Sequence, residues 1–546
     1  MLARVKGGRG AWILLTLAAT GVGTGLAWPV LAAPVTGDDR WLYLFMGGAK
    51  PWSVLQELRS IDDWWTQRVP IGRVNVVTLL ERRLAGRAVF DVALTAGVAI
   101  STVLGALKWL LMGISALTMG ALAKSLRWRD GAGELVALPG RVVGVLTIAT
   151  GLLLALGAQP QIPEYFLGLT GRNGWLSYPT STYGAIVNIF GVTALMLWLS
   201  RIIARPGRHW LTALVLVVAA AIGAVTNFRY ELTFVAAPLV LVALVLFPVT
   251  AQSRARAGRR AKWLVGGAYF AGFAPLFVGL RVYLNHMCEV GKCYTGVEPK
   301  LGFDTLRAFW VNFASSVPGT GSRQLAASVE STGVGADGIF VPTWWSVVLG
   351  LAVIAVLVMV WRIGLSRPEA EDDTTAYAEA RLLAGAALLC LLGALGSSLL
   401  MALSKGAGAG QITVGLPYRH SVVTWMGQAS ALVFALAAWG RTRTSNGRRS
   451  WLAMAVVAGV AAMVLAPANV AAGKADRHLE RDTTAVLDEV IVGDTSRAGL
   501  DRRCDLARRL PKSAGVSAPT LLTAANQAFR ARFDQPFCPR KRIDAR

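Results

Sequence analysis

Charged residues are scarce in this chain: they make up 16% of its 546 residues, whereas 54% of the residues are hydrophobic. A soluble globular protein of this size has a large polar surface, so the composition excludes that class. The apolar residues form runs long enough to cross a bilayer, which takes about 20 residues per helix. The sequence therefore predicts an all-α polytopic membrane protein.

Acidic residues are also few: there are 31 Asp and Glu against 55 Lys and Arg, and the formal net charge is +24. In a soluble protein such an excess would indicate nucleic-acid binding. Here the basic residues cluster between apolar runs, as they do in the cytoplasmic loops of membrane proteins. We therefore expect contact with membrane lipid and no nucleic-acid partner.

Internal repeats and extended low-complexity tracts are absent from the sequence. Many secondary transporters are built from repeats, so this absence makes a transporter less favoured. The glycine-rich run at 404–410 has no strand-to-helix context, and we do not interpret it as a nucleotide-binding loop.

The number of apolar segments predicts about eleven transmembrane helices. Segment 88–123 exceeds one span, and it is either one long tilted helix or a span plus a second helix that begins near Lys108. We count it as one crossing, and we interpret the first segment as an uncleaved span. The segments are 11–33, 88–123, 141–158, 183–203, 210–226, 231–249, 263–283, 344–364, 382–403, 419–439 and 450–470.

Basic clusters predict the orientation, because with this count they all fall on one side, which the positive-inside rule assigns to the cytoplasm. The N-terminus is then cytoplasmic and the C-terminus extracytoplasmic in a multi-pass plasma-membrane protein. Residues 1–470 form the membrane domain, with outer loops at 34–87 and 284–343, and residues 471–546 form a short outer C-terminal region. The clusters are Lys124–Arg129, Arg201–Arg208, Arg254–Lys262 and Arg441–Arg449.

Four of the five cysteines fall on the predicted outer, oxidising side: Cys288, Cys293, Cys504 and Cys538. Two disulfides are expected there, either within the loop and within the tail or between them. A zinc site at Cys288 and Cys293 with His286 lacks an apparent fourth ligand. We expect no cofactor, and a divalent metal stays possible without being indicated.

The acidic pair Asp38 and Asp39 follows the first span and begins the first outer loop. A carboxylate in a cleft at the membrane surface can act as a general base on an acceptor hydroxyl. Apolar residues then recur at helical spacing over 52–68, and again in a run that begins at Arg73. The two amphipathic helices are either collars on the membrane surface or a lid over a cavity that contains the acidic pair.

Cationic side chains recur at the predicted outer boundary. Arg229 and Glu231 lie in a short turn between two spans, and Arg419 and His420 precede a later one. Each set either anchors its span or binds substrate, since the guanidinium fork suits phosphate. Lys405 could also contact an anion. Together these residues suit a substrate with a lipid tail, a phosphate and a sugar.

In these features the chain resembles the C-type glycosyltransferases, the membrane enzymes of the GT-C fold that use polyprenyl-phosphate sugars. The resemblance covers the first spans to about residue 250 and includes the acidic pair, the amphipathic helices and the polytopic layout. Within that superfamily the sequence looks most like the bacterial serotype-converting glucosyltransferase type. The motifs are Asp38-Asp39, Trp64-Trp65, Gly72-Arg73 and Tyr230-Glu231.

The resemblance implies inverting transfer of a sugar from a polyprenyl-phosphate donor to a cell-envelope glycan or lipid outside the cytoplasm. Asp38 or Asp39 matches the family's catalytic acidic residue, a carboxylate that would act as the general base, and the sequence does not choose between them. Arg73, Arg229, Glu231, Lys405, Arg419 and His420 would contact substrate. The amino-acid usage is typical of a high-GC, actinobacterial-type genome.

Two other functions stay open. An O-antigen ligase or polymerase would depend on the 284–343 loop with Arg419 and His420. A lipid-linked-sugar transporter or flippase would need charges within the spans, and Asp91, Lys108 and Arg281 are the candidates.

Overall fold

The computed structural model describes residues 9–33, 75–158, 179–205, 209–229, 231–292, 302–333, 335, 337–366, 373–403, 421–442, 444–514 and 518–539. Almost all of these residues are helical, and a two-stranded hairpin is the only sheet among them. The protein is therefore an all-α polytopic membrane protein, as the composition predicts.

We number the elements in chain order. The helices are α1 (Arg9–Leu31), α2 (Val76–Ala96), α3 (Ile100–Ser125), α4 (Gly140–Leu156), α5 (Pro179–Ile186), α6 (Val192–Ile203), α7 (His209–Asn227), α8 (Ala236–Leu246), α9 (Ala255–Glu289), α10 (Phe303–Ser315), α11 (Ser322–Ser331), α12 (Trp344–Val360), α13 (Asp373–Ala402), α14 (Ser421–Thr442), α15 (Thr444–Leu479), α16 (Arg481–Val492), α17 (Arg497–Ala514) and α18 (Ala518–Phe533), and the strands are β1 (Trp128–Arg129) and β2 (Leu135–Val136).

Nine helices within the described ranges are long and apolar enough to cross a membrane. Two further apolar helices, Gly140–Leu156 and Glu231–Leu246, are shorter, and the second includes a 3-10 turn that leads into α8. Each of the eleven apolar segments in the sequence coincides with one of these helices. A count of eleven crossings stays a prediction.

Segment 88–123 contains a single helix long and apolar enough to cross a membrane, α3, because the chain breaks between α2 and α3. Gly97 ends α2 in the left-handed conformation, with a φ of 65°, and its N–H bonds to the carbonyl of Ala93. Glycine adopts this conformation without the steric cost of a side chain, which is why helices often end there. The predicted amphipathic run from Arg73 therefore continues as α2 to Ala96, further than the sequence pattern indicates.

The described residues of the four basic clusters lie at one end of the bundle, which we call the hairpin end because it carries β1 and β2. Arg129 donates a hydrogen bond to Gln252, 2.6 Å away, and Arg127 lies within electrostatic range of Arg201. At the same end Arg441 forms a buried ion pair with Glu379 at 3.0 Å. The clusters that the positive-inside argument groups together are thus close in space.

The opposite end carries the C-terminal region, and we call it the tail end. Helices α16, α17 and α18 form a small bundle that a disulfide between Cys504 and Cys538 crosslinks. Arg503 is fully buried in it, stacks 4.1 Å from the ring centroid of Phe529 and donates a hydrogen bond to the carbonyl of Phe537 at 2.9 Å. Cys288 also takes part in a disulfide. Its predicted partner Cys293 lies outside the described residues.

The tail bundle packs on the membrane domain through one apolar cluster. Val89 and Phe90 of α2 and Leu104 of α3 join the buried residues of α16 to α18. Asp488 of α16 faces the positive N-terminal end of α3; burial raises the pKa of its carboxyl group, and the nearby N–H of Ile100 opposes this rise. The C-terminal region is therefore a docked part of the fold.

Helices α7 and α9 approach until their backbones touch, and glycine makes this possible. A Cβ added at Gly272 would lie 1.9 Å from the carbonyl oxygen of Ala220, and one at Gly223 would lie 2.1 Å from that of Tyr269. Small residues at helix contacts are typical of membrane proteins, where close van der Waals packing replaces the hydrophobic driving force.

We expect Gly272→Ala to destabilise the protein by about 1–3 kcal/mol, because the added methyl group overlaps a backbone atom that cannot rotate away. Thermal unfolding in detergent measures the effect. Gly267→Ala on the same helix is the control, since nothing lies within 4 Å of a Cβ there. Equal melting temperatures for the two variants would contradict the backbone contact.

We expect Cys504→Ser to weaken the tail bundle by about 3–4 kcal/mol, from the entropy of closing a loop between cysteines 34 residues apart. Limited trypsin digestion should then cut the tail before the membrane domain. Cys390→Ala is the control, because Cys390 is buried and not in a disulfide. A tail that resists trypsin equally in both variants would overturn the crosslink's role.

Candidate active site

The structure describes two of the eight predicted site residues, Arg229 and Glu231, which lie on either side of the turn after α7. The other six lie outside the described residues: Asp38, Asp39, Arg73, Lys405, Arg419 and His420. The geometry of the candidate site is therefore built from the 228–231 turn and from the elements that contact it.

Buried polar side chains hold the two helices on either side of this turn. Asn227 donates hydrogen bonds to the carbonyls of Gly223 at 3.2 Å and of Phe273 at 3.0 Å, which tie the end of α7 to α9. Thr233 donates to the carbonyl of Thr226 at 2.9 Å, across the turn. These buried hydrogen bonds hold the end of α7 and the start of the next helical segment, which carry Arg229 and Glu231.

Helix α2 begins against the same turn. The N–H of Val77 donates to the carbonyl of Phe228 at 2.8 Å. The first N–H groups of a helix have no partner within it, so a carbonyl from another element is a favourable contact. Helix α2 begins within the last part of the predicted first outer loop (34–87). The hydrogen bond therefore joins this part of the loop to the turn that carries Arg229.

Arg229 pairs with Glu81 of α2. Its Nε lies 3.3 Å from one carboxylate oxygen of Glu81, and its Nη2 contacts the other. Gly184 of α5 leaves room for the pair, since a Cβ there would lie 3.4 Å from Nη2 of Arg229 and 3.5 Å from Oε2 of Glu81. The side chains are 18% and 30% exposed, so the pair lies at the edge of the bundle.

The paired guanidinium keeps donors for another ligand. Arginine has five N–H donors, and Glu81 takes those of Nε and Nη2. Nη1 forms no hydrogen bond with any residue that the structure describes. An anion at this edge could therefore bind to Nη1 while Glu81 holds the fork in place, because arginine keeps its charge and its planar geometry.

Glu231 lies within electrostatic range of Arg281 on α9. The Arg281 guanidinium is 5.5 Å from the ring centroids of both Phe234 and Phe277. Cation–π contacts of this kind orient a guanidinium where its surroundings are apolar. The turn therefore has a carboxylate and a guanidinium on each side: Glu81 with Arg229, and Glu231 near Arg281.

The C-terminal end of α1, from which the chain continues towards Asp38 and Asp39, is held by buried contacts. Lys108 is fully buried and donates to the carbonyl of Val30 at 3.2 Å. A Cβ added at Gly105 would lie 2.4 Å from the carbonyl oxygen of Leu31. A cation is favourable beside the carbonyls that end a helix.

Sequence reasoning missed two acidic residues at the tail end. Glu81 belongs to the amphipathic run that begins at Arg73, where the pattern marks it only as a charged residue outside the apolar face, and the structure pairs it with Arg229. Asp476 is buried on α15, one turn after Gly473, which approaches Pro29 near the end of α1. An acidic residue in the alanine-rich stretch of a span is the signal that could have identified Asp476.

Comparison with known proteins does not identify the chain: no family model, curated protein or solved structure matches it. Across the described ranges, no group of three or more His, Cys, Asp and Glu side chains is arranged to hold a metal ion. The site's chemistry therefore has to be argued from its own residues.

A double-mutant cycle of Glu81→Gln and Arg229→Gln should give a coupling energy of about 0.5–1 kcal/mol, because the pair is bidentate but partly exposed. Unfolding in mixed micelles measures each variant. Glu134→Gln is the control, since Glu134 is exposed at the hairpin end and forms no ion pair in the described structure. A coupling energy of zero would contradict the Arg229 contact.

Proposed function

We propose that the protein is a membrane glycosyltransferase that transfers a sugar from a polyprenyl-phosphate donor to a cell-envelope glycan or glycolipid on the outer face of the plasma membrane. The observation that carries this proposal is the docking of α2 on the 228–231 turn through Glu81 and Arg229. It supports a single site at the tail end that includes the first loop and the cationic turn. The resemblance of these segments to C-type glycosyltransferases supports the same assignment.

The proposed reaction is an in-line displacement that inverts the sugar. The acceptor hydroxyl attacks the anomeric carbon while Asp38 or Asp39 accepts its proton. The bond between that carbon and the phosphate oxygen breaks, and polyprenyl phosphate leaves with an additional negative charge. Arg229 would stabilise this charge through Nη1, and positioned cations of this kind act where charge develops.

The other predicted site residues have roles that follow from their chemistry. Arg73, Lys405 and Arg419 would bind the donor phosphate, and His420 would donate to it or move a proton. Glu231 would accept hydrogen bonds from sugar hydroxyl groups. Glu81 is a positioning residue, because it acts by orienting the Arg229 guanidinium.

The distribution of charge supports an outer site. The four basic clusters lie at the hairpin end, which is then cytoplasmic by the positive-inside rule. The turn, the tail bundle and its disulfide lie at the tail end. Disulfides persist in an oxidising compartment, so the cysteine pair agrees with a tail end outside the cytoplasm.

The charges that would favour a transporter have structural partners instead. Asp91 pairs with Arg87 one turn away at 2.9 Å, and Lys108 bonds to the end of α1. Arg281 lies against two phenylalanine rings. A translocation path needs charges that face a water-filled cavity, and these contacts do not favour one.

We expect Asp38→Asn or Asp39→Asn to lower the transfer rate by about 10²–10⁴-fold, since one of the two carboxylates is the proposed base. The assay uses purified protein and a panel of polyprenyl-phosphate hexoses and pentoses, and it detects sugar on an isolated cell-envelope acceptor. NMR of the product checks that the anomeric configuration is inverted. Activity retained in both variants would refute the mechanism.

Two variants separate direct contact with the donor phosphate, by Arg229, from positioning of the Arg229 guanidinium, by Glu81. We expect Arg229→Gln to slow the chemical step, and Glu81→Gln to have a smaller effect that Glu81→Asp partly restores. Glu134→Gln at the hairpin end is the matched control and should transfer sugar at the wild-type rate.

A further inference from the structure

A basic pocket lies at the hairpin end, on the opposite side of the bundle from the candidate active site. Its volume is about 550 Å³, and it opens between β1, the segment that follows α8, and the start of α9. Among the described residues its lining includes no Asp or Glu. The cations that line it are Arg129, Arg259, Lys262 and Arg381.

Two of these cations are fixed by neutral acceptors. Arg129 donates to the carbonyl of Thr250 at 3.2 Å and to the side chain of Gln252 at 2.6 Å. Lys262 donates to the carbonyl of Phe247 at 3.2 Å, just past the C-terminal end of α8. Neutral acceptors leave the positive charges uncompensated, so the pocket attracts an anion.

The other two cations have no acidic partner among the described residues. Arg381 of α13 lies 5.4 Å from the ring centroid of Trp128 and 4.6 Å from that of Tyr377. Stacking of this kind holds a guanidinium plane in one orientation and leaves its N–H donors available. Arg259 is exposed and forms no ion pair or hydrogen bond in the described structure.

The pocket is also in contact with the surface that faces lipid. Val245 and Leu246 line it, and their side chains are 61% and 44% exposed. Trp263 directly follows Lys262 and is 70% exposed. Exposed tryptophan is typical of the boundary between headgroups and acyl chains, so the four cations lie at headgroup depth.

We propose that this pocket binds the phosphate group of an anionic phospholipid, with the headgroup among the four cations and an acyl chain along Val245 and Leu246. Arginine and lysine donors suit phosphate, and basic pockets between membrane helices are known to hold such headgroups. This binding site is separate from the proposed transfer reaction and does not depend on it.

The test uses the full chain in nanodiscs of phosphatidylcholine, with or without phosphatidylglycerol, and native mass spectrometry to count the bound lipid. We expect wild-type protein to retain phosphatidylglycerol over phosphatidylcholine. The single variants Arg259→Gln and Arg381→Gln should each weaken the retention of phosphatidylglycerol about fivefold, and the variant that combines them about 30-fold. Arg260→Gln is the matched control, because Arg260 is exposed on the same helix and does not line the pocket.

A second arm separates a lipid from a soluble phosphate. Glycerol phosphate and inorganic phosphate are added to the same samples, and neither should displace the bound phosphatidylglycerol. One result would overturn the assignment to lipid: either phosphate displaces phosphatidylglycerol, and the displacement depends on Arg259 and Arg381 as lipid retention does. The site would then bind a water-soluble phosphate. If the double variant does not fold, Arg259→Gln carries the test, since its side chain is exposed. Equal retention by wild type, Arg259→Gln and Arg260→Gln would overturn the site.

Discussion

The fold depends on one constraint: a polar group inside a bilayer finds no water, so its partner has to come from the protein. Lys108 meets the constraint with the carbonyl of Val30. At the hairpin end, the buried side chains of Glu379 and Arg441 pair with each other at 3.0 Å. Asn469 donates to the carbonyl of Ala158 at 3.2 Å. Each of these contacts joins elements distant in the chain, so the need for a partner also determines which helices pack together.

The same constraint shapes the candidate active site. Asn227 and Thr233, which flank the 228–231 turn, donate to the carbonyls of Phe273 and Thr226, and the N–H of Val77 in α2 donates to the carbonyl of Phe228. Arg229 then pairs with Glu81, and this contact leaves Nη1 available. A guanidinium that Glu81 already orients suits an anionic substrate at the membrane edge, because little reorganisation is needed when charge develops.

The turn at the tail end and the basic pocket at the hairpin end differ in the partners of their cations. At the tail end Arg229 has a carboxylate partner, and Arg281 lies near Glu231. In the pocket, Arg129 and Lys262 donate to neutral acceptors among the described residues, and Arg381 lies against aromatic rings. This asymmetry separates a proposed catalytic site at the tail end from a proposed lipid-binding pocket at the hairpin end.

The sequence by itself determined the class and most of the helices, because an apolar run of about 20 residues has few alternatives to a membrane span. It also predicted that the basic clusters share one side, and the structure brings Arg127 near Arg201 and Arg129 near Lys262. Only the tertiary structure decided the break at Gly97, the partner of Arg229, the pairing of Cys504 with Cys538 and the pocket around Arg381. Apart from the local break at Gly97, these contacts join residues far apart in the chain, and local patterns carry no information on which helix faces meet.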